Sequence, residues 1–385
     1  MGVVRLGLEA DWDRMAHIAN YDTLVRQMLC VPVLPWDDEA MVFGHQTLRD
    51  NVALLDEELL QQINARIAAA GREVFAKKDG APGAALAVKV DTYVLESDVH
   101  FPTDLNLLWD AGRKCVDLIG GVRAAGHDVP GWRKAKAWRH QLKACERIAS
   151  QIVYRGGPNK ESRVKSAVRD YLAVGGELSA KVRPSLLDLC DQAVDAAGWE
   201  RLAYFQAMLD KPLDLVERRL IKAETIPAHE KVFSLFEPHT EWIQKGKQRP
   251  NVELGHRFLV ATDQPQIIQD YDVLLQAAEV EQSIPVADRW RGRYGAGSVA
   301  SLSFDKGFTR AADWELLSLY VPTVVMPKRG KKNAAETARE SERKFVALRH
   351  QPSAMESEIN SLEHHGLNRC LDVGWDGISA MWAAE

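Results

Sequence analysis

Val90-Asp91-Thr92-Tyr93-Val94-Leu95-Glu96-Ser97-Asp98-Val99-His100-Phe101-Pro102-Thr103-Asp104 reads as a strand that carries one acid and runs into a turn and a helix start. The β-branched and aromatic residues keep a period of two. The pleat therefore fixes the direction of Asp91, with Val88, Val90, Thr92 and Val94 on the opposite face. The plain alternative is an acid on the solvated face of an edge strand. Two later stretches bear on that choice. Ser303-Phe304-Asp305-Lys306-Gly307-Phe308 is a strand ending on an acid, and strand ends are where α/β sheets bind ligands. An Asp in a strand-to-helix turn is the plain reading there. Met355-Glu356-Ser357-Glu358-Ile359-Asn360 puts an acid on an amphipathic helix. Met355, Ile359 and Leu362 recur at core spacing, Glu356, Asn360 and Glu363 share an adjacent face, and Glu358 is expected to face solvent.

Strand acid, strand-end acid and helix acid form an ordered set with a chemical use. Phosphoryl transfer on DNA needs two Mg²⁺ ions about 4 Å apart, one at the attacking oxygen and one at the leaving oxygen. Mg²⁺ is hard and takes charged oxygen ligands, so carboxylates on rigid elements suit it. Asp98, His100 and Asp104 could line such a site, though Asp104 also suits a helix N-cap.

The totals exclude several classes. With 385 residues, the length prior is about two domains. At 46% apolar and 27% charged the chain can bury a core and is not disordered by composition. No apolar run reaches about 18 residues, so no membrane span is expected, and residues 1–11 do not read as a secretory signal. Five scattered cysteines without a C-x-x-C pair point to a reducing cytoplasm rather than zinc or disulfides. His364-His365 beside Cys370 has no zinc spacing, Ser97 and Ser303 have no nucleophile elbow, and no Gly-rich phosphate loop occurs.

Along the chain, residues 1 to about 80 read as helical, with Gly71 expected to cap the second helical stretch. Residues 77–83 form a turn-rich candidate boundary. Helical periodicity returns from Asp104 to about Glu224, an insert at about 105–225 in an α/β domain of residues 81–385. The stretches 231–236 and 257–261 alternate well enough to pair as strands. A helix near 286–294, the strand 299–304, Thr309 as a helix N-cap and a short buried strand at 321–326 follow. The last helix runs from about Ser353 to His365 and can end at Gly366.

The net charge of -5 is no help to a nucleic-acid binder, but local charge differs. Residues 131–170 hold eleven basic residues, among them Arg133, Lys134, Lys136, Arg139 and Lys143, against three acids, a local charge of +8 (11 minus 3). Trp132, Trp138 and Tyr154 are interleaved, a pattern that fits either a solvated helical face or a nucleic-acid surface. Basic loops at 245–250 (Lys245, Lys247) and 327–332 (Lys328, Arg329) flank the expected sheet.

The stretch 91–110 resembles the first catalytic block of bacterial DDE insertion-sequence transposases of the ISNCY type. So do residues 231–247 with Val252-Glu253-Leu254-Gly255, and residues 46–55 resemble that family's N-terminal helical region. Ser303-Phe304-Asp305-Lys306-Gly307-Phe308 resembles its second block and 356–370 its third. The resemblance spans nearly the whole chain, in order. It implies an RNase H-like catalytic core with a long helical insertion, preceded by an all-helical N-terminal region. It also implies Asp91, Asp305 and Glu356 as ligands of two Mg²⁺ or Mn²⁺ ions. Double-stranded DNA, namely terminal inverted repeats and target, is the implied partner, bound by a homo-oligomer in the bacterial cytoplasm. The chain departs from the Tyr-Arg-Glu-Lys signature of many relatives: Arg349, Pro352 and Glu363 stand at its Tyr, Arg and Lys positions. Arg369 is the expected substitute phosphate contact. The ends look short beside relatives, so the rival expectation is a truncated, inactive remnant that only binds DNA. A helical scaffold without chemistry is the third.

Overall fold

A computed structural model of the protein describes residues 10–33, 41–79, 85–190, 196–244, 251–350 and 352–370, with Arg5 and Leu8. The chain is α/β and divides into two compact units, one of residues Met1–Asp98 with Glu241–Glu385, the other of Val99–Thr240.

The first unit is built on a mixed seven-stranded sheet. Its axis is β1 (Leu86–Ser97), where Val, Leu and Tyr favour the pleated, half-buried geometry. On one side β1 pairs antiparallel with β3 (Val252–Thr262). The outer edge of β3 is shared by β2 (Glu241–Gln244) and β4 (Ile268–Leu274), both antiparallel. On its other side β1 pairs parallel with β5 (Val299–Phe304), and β5 pairs parallel with β6 (Val324–Val325). β7 (Arg369–Cys370) adds parallel to the far end of β1. Read across, the main strands run β4, β3, β1, β5, β6. The first three in the chain form an antiparallel meander and the last two lie parallel to β1.

Alternation along β1 gives each face its own core. Val88 and Val90 join Leu259, Ala261 and Phe304 beneath the helix Ser283–Tyr294, whose Val286, Ala287 and Trp290 are buried there. Tyr93 and Leu95 join Phe258, Val260 and Cys370 beneath the helix Pro352–Leu362, through Met355, Ile359 and Leu362. That helix passes into one π turn, Glu363–Leu367. Helices Trp12–Tyr21, Thr23–Met28, His45–Val52 and Glu57–Asp79 occupy the N-terminal part of this unit. The last of them guards an edge: Gln61 and Asn64 side chains donate to the outward carbonyls of Tyr271 and Gln269 on β4. Such covering removes a free edge that could pair with another chain.

Three expectations are corrected here. Gly71 does not end a helix; Glu57–Asp79 runs through it. A Cβ on Gly71 would stand 2.5 Å from Cδ1 of Ile267, so the glycine serves close packing instead. The boundary expected at 77–83 is helical up to Asp79, and residues 80–83 lie outside the described residues. Thr309 is not an N-cap. The helix Ala311–Leu317 begins after Arg310, and the Thr309 hydroxyl donates to the Pro327 carbonyl at 2.7 Å.

The second unit is helical: α1 (Asp104–Ala124), α2 (Ala135–Tyr154), α3 (Lys160–Cys190) and α4 (Ala196–Val216). Leu108, Ile119, Leu142, Tyr171, Leu178 and Leu209 are among the residues of its core. Thr103, not Asp104, caps α1: its hydroxyl accepts from the Asn106 amide at 3.1 Å, while Asp104 pairs with Arg219 at 2.6 Å. His100 pairs with Asp110. The stretch 231–236 is not a strand. Leu235 is buried in the helical core and its carbonyl accepts from the Tyr204 hydroxyl at 2.9 Å, so this segment lies on the bundle rather than in a sheet. Residues 257–261 pair instead with 90–94 of β1 on one edge and with 270–274 of β4 on the other. Among the described residues no helix is long and apolar enough to cross a membrane.

Candidate active site on the central sheet

Asp91 and Asp305 come together through strand register. Val90 pairs with Phe304 across the parallel β1–β5 ladder. The next residue of each strand is the acid. Asp91 is largely buried and its Oδ1 accepts from the Thr92 amide at 2.7 Å. Asp305 is exposed at the strand end. Glu356 is exposed on the helix that covers the Tyr93 and Leu95 face, one residue past the buried Met355.

A fourth acid, Glu279, was not singled out from sequence. It begins a short 3₁₀ turn, Glu279–Glu281, between β4 and the helix Ser283–Tyr294. Its Oε1 accepts from the Thr92 hydroxyl at 2.8 Å, tying it to β1 beside Asp91. A Cβ on Gly307 would stand 1.8 Å from Glu279 Oε2. The glycine of Asp305-Lys306-Gly307-Phe308 therefore makes room for this carboxylate.

The electrostatics follow from the placement. The Asp91 carboxyl is pushed up from 3.8 to about 7, by burial first and then by the charges of Asp305, Glu279 and Glu356. The Thr92 amide opposes this in part. Burial and like charge both disfavour the ionised form, so a cation beside Asp91 would reverse the shift. The oxygen donors of Asp91, Asp305 and Glu356 have the right chemistry for a hard divalent ion. Among the described residues no three His, Cys, Asp or Glu side chains stand close enough to hold one ion together.

Asp91, Thr92, Glu279 and Asp305 line a cavity of about 700 Å³, together with Glu241, Arg257, Gly307 and Arg329. Burial also raises the pKa of Glu358, which lies near Lys89 and Asp263. Glu358 was expected to face solvent and instead turns toward the sheet, where Lys89 is buried.

The expected DNA-contacting residues divide. Arg133, Lys134 and Lys136 are exposed and make no ion pair among the described residues. Arg139 pairs with Asp117 at 3.0 Å, and Lys143 with Glu146 at 2.7 Å while lying over the Trp109 ring. Trp132 is not on a surface: it is buried and its indole donates to Ser185. Lys328 is bound by Glu336 at 2.7 Å. Arg369 stands 3.7 Å from Glu96 and 3.5 Å from Asp98. Lys245 and Lys247 lie outside the described residues.

No protein family, curated protein or solved structure matches this chain.

Proposed function

We propose that this chain is a DDE-type transposase whose core is RNase H-like and whose helical unit is an insert between the first two core strands. The observation that carries the reading is the level placement of Asp91 and Asp305 on adjacent parallel strands, with Glu356 charged toward Asp91 from a covering helix. The strand order supports it: a three-stranded antiparallel meander with two further strands added parallel to its first, the acids on the first and fourth.

In this reading Asp91, Asp305 and Glu356 hold two Mg²⁺ or Mn²⁺ ions, and DNA enters as substrate, at the element's ends and then at the target. When bound, the ions activate the attacking oxygen and stabilise the leaving oxygen. The chain's own part is placement. The pleat and the β1–β5 register fix two carboxylates, and the core contacts of Met355, Ile359 and Leu362 hold the helix that presents the third. Burial and neighbouring acids push the Asp91 carboxyl up to about 7, and a divalent ion held beside it would favour the ionised form. Water attacks the phosphate at the element's end, the freed 3′-hydroxyl attacks target DNA, and no covalent enzyme intermediate forms. Assembly as a homo-oligomer on DNA is part of the proposal.

The test is strand cleavage on DNA that flanks the chain's own coding sequence. Asp91→Asn and Asp305→Asn should each abolish cleavage and leave DNA binding largely intact. Retained cleavage in either variant sinks the assignment. A second reading has its own support: Glu363 stands where the resembled family carries Lys, and among the described residues no three acids stand close enough to hold one ion together. It is a remnant that binds DNA and cuts nothing, and it predicts no cleavage by the unaltered chain.

A further inference from the structure

Arg257 is a largely buried cation of the cavity with no hydrogen bond to an acid among the described residues. It lies on β3 opposite Val94 and lines the same space as Asp91 and Thr92. Its side chain is only 27% exposed, yet its nearest acids stand outside hydrogen-bond range: Nη1 is 4.0 Å from Glu241 Oε2 and Nε is 3.8 Å from Glu279 Oε1. Those acids are engaged elsewhere. Glu241 Oε1 accepts from the Gln276 amide at 2.9 Å, and Glu279 Oε1 from the Thr92 hydroxyl at 2.8 Å. Arg329 approaches the same carboxylate from a more exposed position, its side chain 68% exposed and its Nη2 at 4.0 Å from Glu279 Oε2. Two guanidinium forks thus flank one carboxylate, and neither makes a hydrogen bond among the described residues. A half-buried guanidinium ordinarily spends its five donors. Its planar fork matches a phosphate in two-point contact.

We infer that Arg257 and Arg329 form a phosphate clamp in this cavity, binding the backbone of a nucleic-acid strand beside Asp91 and Asp305, with Glu279 setting the spacing of the two forks. The inference deepens the DNA reading above and rests on it. It assigns Arg257, on the sheet itself, as a residue that positions the strand, and Gly307 leaves the space in which the Glu279 carboxylate sits between the forks.

The experiment is binding of a fluorescein-labelled DNA duplex to the full chain in chelator, as a function of salt. Each lost phosphate contact lowers the slope of log affinity against log salt by about one. Arg257→Gln and Arg329→Gln should each lower it by about one, and the pair by about two. Arg257→Lys keeps the charge and should keep the slope, which separates a lost contact from a lost fold. Wild-type slopes in both Gln variants overturn the clamp. So does Arg257-dependent binding of inorganic phosphate with an unchanged DNA slope, which would mark a site for free phosphate. No strand is cut in chelator, so the outcome is independent of cleavage. A chain that cuts nothing can still show the slope change, and a cutting chain with unchanged slopes loses only the clamp.

Discussion

At the residue scale the account turns on Asp91. Its carboxyl is raised by burial and by neighbouring acids from 3.8 to about 7. The folded chain therefore holds this proton more tightly than the unfolded chain does. Without a cation, Asp91's own contribution is most favourable at low pH and falls as pH climbs from about 4 toward 7, levelling at a loss of up to about 4 kcal/mol. Asp91→Asn removes that loss. In chelator at about pH 8 the variant should unfold at higher denaturant than the wild type, and the gap should shrink as pH falls. A gap that does not change with pH would show that Asp91 is ionised at little cost. Gly307→Ala makes the opposite prediction. Its Cβ meets Glu279 Oε2 at 1.8 Å, so either the turn shifts or the Thr92 hydrogen bond breaks. The carboxylate is the free end of a flexible side chain, so the expected cost is about that of one hydrogen bond, roughly 0.5–1.5 kcal/mol by denaturant titration.

Elements carry these residues, and their legibility in sequence was uneven for physical reasons. The acids on β1 and β5 were readable because a strand has a strict period of two and ends at an identifiable residue. Glu279 was not, because a 3₁₀ turn has no periodic signature and its role depends on Thr92 and Gly307, distant in sequence. The stretch 231–236 misled because alternation also suits an extended segment laid on a helix bundle, where Leu235 is buried. Trp132 misled for a similar reason: an aromatic among basic residues looks like a stacking platform until its neighbours bury it. Glu358 shows that a helix flank beside a sheet is not solvent by default. The helix Pro352–Leu362 is the element on which the site most depends. Met355 is its buried anchor, so Met355→Ala should cost roughly 2–5 kcal/mol and loosen the helix that carries Glu356. Hydrogen exchange along residues 355–362 should rise in the variant, and cleavage should fall with it.

At the scale of the whole molecule, a net charge of -5 coexists with a basic stretch at 131–170. Of that stretch, Arg133, Lys134 and Lys136 are exposed and make no ion pair among the described residues, whereas Arg139 and Lys143 are engaged by acids. If these three touch phosphates, changing all three to Gln should weaken duplex binding for every sequence and lower the salt slope by about three. An unchanged slope would make this face a solvated one.

The central claim is that Asp91 and Asp305 are ligands of divalent metal. Its most direct measurement is Mn²⁺ titration of the full chain followed by electron paramagnetic resonance of the free ion. The account predicts saturable binding of two ions by the wild type, lost in Asp91→Asn and Asp305→Asn. Wild-type binding that survives both substitutions, or no binding at all, would contradict it.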